Sequence, residues 1–67
     1  MNIGEKVLRA RKEAGLTQKE LSEKADVSRQ WICTLEKNIT QDVMFSTLCR
    51  VAKATNKPLE YFADSIV

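Results

Sequence analysis

Between Ala25 and Ser28 stand only two residues, Asp26 and Val27, and on either side of them the chain reads as a helix of about two turns. In "LTQKELSEKADVSRQWICTLEKN", residues 16 to 38, the first of these helices opens on a capping box. The Thr17 hydroxyl accepts from the Glu20 amide while the Glu20 carboxylate reaches back to the backbone of Thr17. Leu21 and Ala25 form its apolar side. Ser28 is a suitable N-cap for the second helix, and Asn38 can end it in the left-handed conformation. Two helices this short, joined by so tight a link, must be held at a fixed angle by the chain around them.

That chain supplies three more helical segments. Residues 2 to 14 begin with a capping signal, Asn2 with Glu5 three places on, and Gly15 offers a left-handed stop. Ile3, Val7, Ala10, Arg11 and Ala14 share one face, on which Arg11 is the anomaly. After a polar connector, residues 39 to 42, Asp42 is the expected N-cap of a fourth helix. Its stripe is Phe45, Leu48, Cys49, Ala52 and Thr55, running to about Asn56. Pro58 suits the first position of a last helix with Leu59, Phe62, Ala63 and Ile66 as its buried stripe. No stretch alternates with period two over the length of a strand, so the expectation is one all-α domain, residues 1–67, of five short helices.

A chain of 67 residues lies near the lower size limit for a core without covalent staples, which leaves little room for a substrate cavity. Histidine is absent, and two cysteines without it cannot complete a four-ligand zinc site in one chain. Cys33 and Cys49 fall in separate helices and read as small half-buried apolar residues. There is no acidic pair with a plausible cleft and no phosphate-cradling glycine loop. The expectation is therefore no catalysis, no metal, no cofactor and no small-molecule ligand. No apolar run reaches the roughly 20 residues of a membrane span, and "MNIGEKVLRARKEAG" lacks the apolar centre of a secretory signal, so a cytoplasmic protein is expected. Eleven basic and nine acidic residues give a net charge of +2, too weak to identify a nucleic-acid partner by itself.

The placement of polar groups says more. At about 100° per residue, Ile32 and Leu35 point one way on the helix that follows Ser28, with Trp31 and Glu36 on the flanks. The opposite face collects Gln30, Cys33, Thr34 and Lys37, with Arg29 at its edge. Amides, hydroxyls and a guanidinium can pair with base edges in the major groove, and a short helix can enter that groove by its N-terminal end.

Residues 3 to 62 resemble the Cro/C1-type (XRE-like) helix-turn-helix family of phage repressors and their bacterial relatives. The resemblance rests on Gly15-Leu16-Thr17-Gln18, Leu21, Ala25, Val27-Ser28, Ile32, Leu35-Glu36 and Asn38, then Leu48, Ala52 and Leu59. Three positions depart from the family pattern: Asp26 stands where Gly is usual, Ser22 replaces a small Ala, and Val43-Met44 replaces a Pro-Ser start. The resemblance implies a lambda-repressor-like fold with its helix-turn-helix motif at about 18–37 and its recognition helix at about 28–37. It implies a sequence-specific regulator of transcription bound to double-stranded DNA. Ser28, Arg29, Gln30, Cys33 and Thr34 would then read bases, and Thr17, Gln18, Lys19, Lys37, Asn38 and Thr40 would hold phosphates. Arg11 and Glu36 stand where the family has an ion pair, which accounts for an Arg on a buried face. Trp31 either packs under the 39–42 connector or points its indole N–H at a phosphate.

One short recognition helix reaches few base pairs, so a homodimer on a palindromic operator is expected. Tyr61 and Val67 lie off the core face of the last helix and are the candidate dimer surface. The rival expectation is a protein-interaction module of the same fold, antitoxin-like or an adaptor. Such a module would carry exposed apolar residues where Arg29, Gln30 and Thr34 stand.

Overall fold

The computed structural model describes residues 2–39 and 43–63 and forms five helices: α1 (Ile3–Glu13), α2 (Gln18–Ala25), α3 (Arg29–Glu36), α4 (Phe45–Ala54) and α5 (Glu60–Ala63). The described residues contain no strand, and the fold is the expected all-α, five-helix arrangement. Local chemistry sets the first three helix starts. Asn2 Oδ1 accepts from the Glu5 amide at 2.9 Å while Asn2 Nδ2 donates to Glu5 Oε1 at 3.1 Å. The capping box of α2 is complete, with the Glu20 amide on Thr17 Oγ1 at 3.0 Å and the Thr17 amide on Glu20 Oε1 at 2.8 Å. Ser28 Oγ accepts from the Trp31 amide at 3.0 Å. Each cap satisfies an amide that a helix N-terminus otherwise leaves without an intrahelical partner.

One device ends the first four helices. Gly15, Asp26, Asn38 and Asn56 take positive φ values of 72°, 55°, 63° and 59°. The amide after each one reaches back five residues: Leu16 to Arg11 O, Val27 to Ser22 O, Ile39 to Thr34 O and Lys57 to Ala52 O, at 2.9 to 3.1 Å. Left-handed backbone costs least for Gly, and Asn and Asp tolerate it better than other residues. The sequence therefore places its stops where only these residue types stand.

All five helices contribute to one core. Ile3, Val7 and Ala10 meet Leu21, Ala25, Ile32, Leu35, Leu48, Val51, Ala52 and Phe62, all buried. Helix α2 packs on both α3 and α4, and α1 packs on α3 and α5. The two short helices are thus clamped from both sides. Thr55 is the buried polar residue among those described, and its hydroxyl donates back to Val51 O at 2.8 Å with Ala52 O at 3.3 Å. At Gly4 the approach of α1 to α3 is so close that a Cβ would stand 2.1 Å from Leu35 O.

Several expected details are corrected. Met44, not Asp42, occupies the N-cap position of α4, and it makes no side-chain cap. Asp42 itself lies outside the described residues. Phe45 opens α4 and is 65% exposed, while Val51 is buried in its place. The packed stripe starts a turn later, at Leu48, and follows the spacing i, i+3, i+4, i+7 to Thr55. Ala14 is exposed because it is the C-cap of α1, where the chain is already turning away at Gly15. Pro58 lies two residues before α5, its carbonyl accepting from the Tyr61 amide. Leu59 and Ala63 are half-buried beside buried Phe62, and Ile66 lies outside the described residues.

Candidate nucleic-acid interface

The residues expected to meet DNA fall mostly on the outer face of α3 and the first turn of α2. Because α3 buries Ile32 and Leu35, its helical period turns Arg29 and Gln30 outward, and both are exposed. Lys37 and Asn38, just past its end, are exposed as well, while Cys33 and Thr34 are half-buried. The Thr34 hydroxyl donates to Trp31 O at 3.0 Å, so its proton is used inside the helix. Ser28 is exposed but already caps the helix through Oγ. Thr17 and Lys19 are exposed at the start of α2. Thr40 lies outside the described residues.

Behind this face sits a charged cluster. Arg11 Nε donates to Glu36 Oε2 at 2.8 Å and Arg11 Nη2 to Glu36 Oε1 at 3.1 Å, a bidentate pair whose side chains are 13% and 5% exposed. Arg11 Nη1 donates to Leu16 O at 2.9 Å, and Gln18 Nε2 donates to Glu36 Oε1 at 3.0 Å. The structure thus unites Arg11 with Glu36, the pair that the resemblance implied, and it adds to them Gln18, for which the resemblance implied a phosphate contact. Removing either charge would leave the other buried without its partner. Glu20 is the perturbed carboxyl at this edge. The backbone N–H of Thr17, followed by its side chain, holds the Glu20 carboxyl below the usual carboxylate range.

Other expectations meet specific outcomes. Trp31 is half-buried against the core and lines a cleft with Val27, Ser28, Met44, Thr47 and Arg50, while residues 40–42 of the connector expected to cover it lie outside the described residues. Cys33 and Cys49 are free and half-buried. Tyr61 is not off the core as expected but packs against it. Its ring meets Phe62 edge-on, with Lys6 Nζ 4.8 Å and Lys57 Nζ 4.9 Å from its centroid. Val67 lies outside the described residues. Sequence reasoning missed the exposure of Ile39, Met44 and Phe45, at 70%, 72% and 65%. Of the three, Phe45 had been placed in a buried stripe, and the register of α4 turns it outward. Among the described residues no group of His, Cys, Asp or Glu could hold a metal ion, and no helix is long and apolar enough to cross a membrane.

Two short helices joined by a left-handed turn, the second with an exposed polar face, define a helix-turn-helix domain. A family model described as helix-turn-helix matches residues 7–62, from within α1 to α5. The chain belongs to the Cro/C1-type helix-turn-helix family and is, at that level, a DNA-binding domain. No curated protein and no solved structure matches it.

Proposed function

We propose that the protein is a sequence-specific regulator of transcription that inserts α3 into the major groove of an operator. The observation that carries this reading is the outward polar face of α3, where Arg29 and Gln30 stand exposed at the N-terminal end of a helix fixed by its neighbours. In this reading Arg29 and Gln30 bond base edges, and Thr34, Cys33 and Ser28 contact bases more closely packed against the helix. Thr17, Gln18, Lys19, Lys37, Asn38 and Thr40 hold phosphates on either side. The N-terminus of α2 adds a favourable field for an anion. The net charge of +2 supplies little general attraction to DNA, so affinity must come from placed contacts.

Two chains act together, each reading a half-site about one helical turn, roughly 34–36 Å, from the other. We assign the two-fold contact to the end of the last helix, where Tyr61, packed against the core on one side, stays half-exposed, together with Val67 further along the chain. Ile39, Met44 and Phe45, each exposed where the chain leaves α3 or enters α4, support a second reading, in which this apolar surface takes a protein partner. Selection of bound sequences from random duplex DNA tests the first reading. It should enrich a palindromic site that binds two chains, with dimerisation weakened by Tyr61→Asp. Recovery of no preferred sequence would favour the protein-interaction reading, and a dimer indifferent to Tyr61→Asp would move the contact to the apolar surface.

A further inference from the structure

We infer that Lys6 and Lys57, both over the ring of Tyr61, form a charge-dependent clasp that fastens α5 to the rest of the fold, so that this end opens on its own and opens more often when either ammonium is lost. The bearing of the clasp on self-association rests on the two-fold contact assigned above to the end of the last helix. Helix α5 has four residues, too few to hold its shape alone. Its amides donate from Tyr61 to Pro58 O and from Phe62 and Ala63 to Leu59 O, at 3.0 to 3.2 Å. Phe62 anchors it in the core, and Tyr61 meets Phe62 edge-on with ring centroids 5.1 Å apart. Beyond that anchor, α5 depends on what holds Tyr61.

Two cations from different parts of the chain hold it. Lys6 of α1 donates from Nζ to Tyr61 O at 2.8 Å, one of the last carbonyls of α5, which a helix end leaves in need of a donor. The same ammonium lies 4.8 Å from the centroid of the Tyr61 ring. Lys57, in the link between α4 and α5, places Nζ 4.9 Å from that centroid and pairs with Glu13, the last residue of α1. A cation at this range is drawn to the negative face of an aromatic ring. Two ammonium groups near one ring also repel each other, and the Glu13 carboxylate beside Lys57 offsets part of that repulsion. The ring is thus held from α1 and from the link at once. No residue of α2 or α3 takes part.

The test follows amide hydrogen exchange at Tyr61, Phe62 and Ala63 by NMR in a double-mutant cycle. Methionine keeps the aliphatic stem of lysine without its charge, and leucine keeps apolar bulk at Tyr61 without a ring. Lys57→Met should speed exchange at these amides about two- to fivefold, the contribution of one half-exposed cation over a ring. Lys6→Met should speed it further, because it also removes the donor to Tyr61 O. In the Tyr61→Leu background, Lys57→Met should have no added effect. Glu13→Gln leaves Lys57 over the ring and should change exchange by less than about twofold, since an exposed ion pair contributes little. An equal effect of Lys57→Met with and without the ring would overturn the clasp. So would wild-type exchange at the α5 amides as slow as at the buried Val51 amide of α4, because α5 would then open only with the whole fold.

Repeating the wild-type measurement below and above the concentration at which the chain self-associates separates the clasp from the dimer reading. A two-fold contact at this end should slow exchange at the α5 amides in the dimer, because the partner binds the closed form. If the ring-dependent effect of Lys57→Met holds in dilute protein and the α5 amides gain no protection on self-association, the clasp stands and the assigned contact is wrong.

Discussion

Gly4 and Asp26 show opposite relations between a residue and the backbone it must adopt. Gly4 lies where α1 approaches α3 so closely that a Cβ would stand 2.1 Å from a backbone carbonyl, which cannot move aside as a side-chain tip could. Gly4→Ala should therefore destabilise the fold by about 1–3 kcal/mol in denaturant titration, despite the better helix propensity of Ala. An unchanged midpoint would mean that the two helices separate at little cost. Asp26 holds φ 55° and ψ 51°, left-handed backbone that Gly enters without a Cβ penalty. Asp26→Gly should stabilise by up to about 1 kcal/mol and leave DNA binding intact, and a clear drop in midpoint would contradict this. The Asp26 conformation was legible through the family resemblance, because Asp26 stands at the turn position where Gly is usual. The role of Gly4 was not, because the need for a missing Cβ arises only when two helices distant in sequence meet.

The helices whose ends are made by their own side chains were the ones the sequence specified well. Asn2, Thr17 and Ser28 cap their helices, and Gly15, Asp26, Asn38 and Asn56 stop them, all through contacts within a few residues. The start of α4 has no such signal, since Met44 offers no side-chain cap, and Phe45 resembles a core residue until tertiary packing leaves it outside. Tyr61 was misplaced for a related reason: the lysines facing its ring come from α1 and from the turn before α5. The local caps also make a pH prediction. Folding lowers the Glu20 pKa through the Thr17 N–H, so its contribution is present above the unfolded value of 4.5 and is lost as pH falls through the folded value. Glu20→Gln keeps the bond to Thr17 without titrating. The stability advantage of wild type over Glu20→Gln should shrink as the pH falls from about 6 to about 3, and a gap constant across that range would contradict the capping role of the carboxylate.

For the whole molecule, the sequence specified the fold class and the polar face of α3, because both follow from helical period and residue type. It did not show that Gln18, Glu36 and Arg11 share one cluster in the detail seen here, since Gln18 and Glu36 are joined by a hydrogen bond between elements. Nor could it show which apolar residues the finished core would leave exposed. In the proposed function α3 is assigned the base edges and the residues at its ends the DNA backbone. The most direct measurement of that division is a salt series of affinities for wild type, Gln30→Ala and Lys37→Ala on the selected operator and on a scrambled duplex. Gln30→Ala should lose about 1–3 kcal/mol on the operator only, with its salt slope unchanged. Lys37→Ala should weaken both duplexes alike and lower the slope by about one unit. Equal losses by both variants on both duplexes would contradict the assignment of α3 as the reading helix.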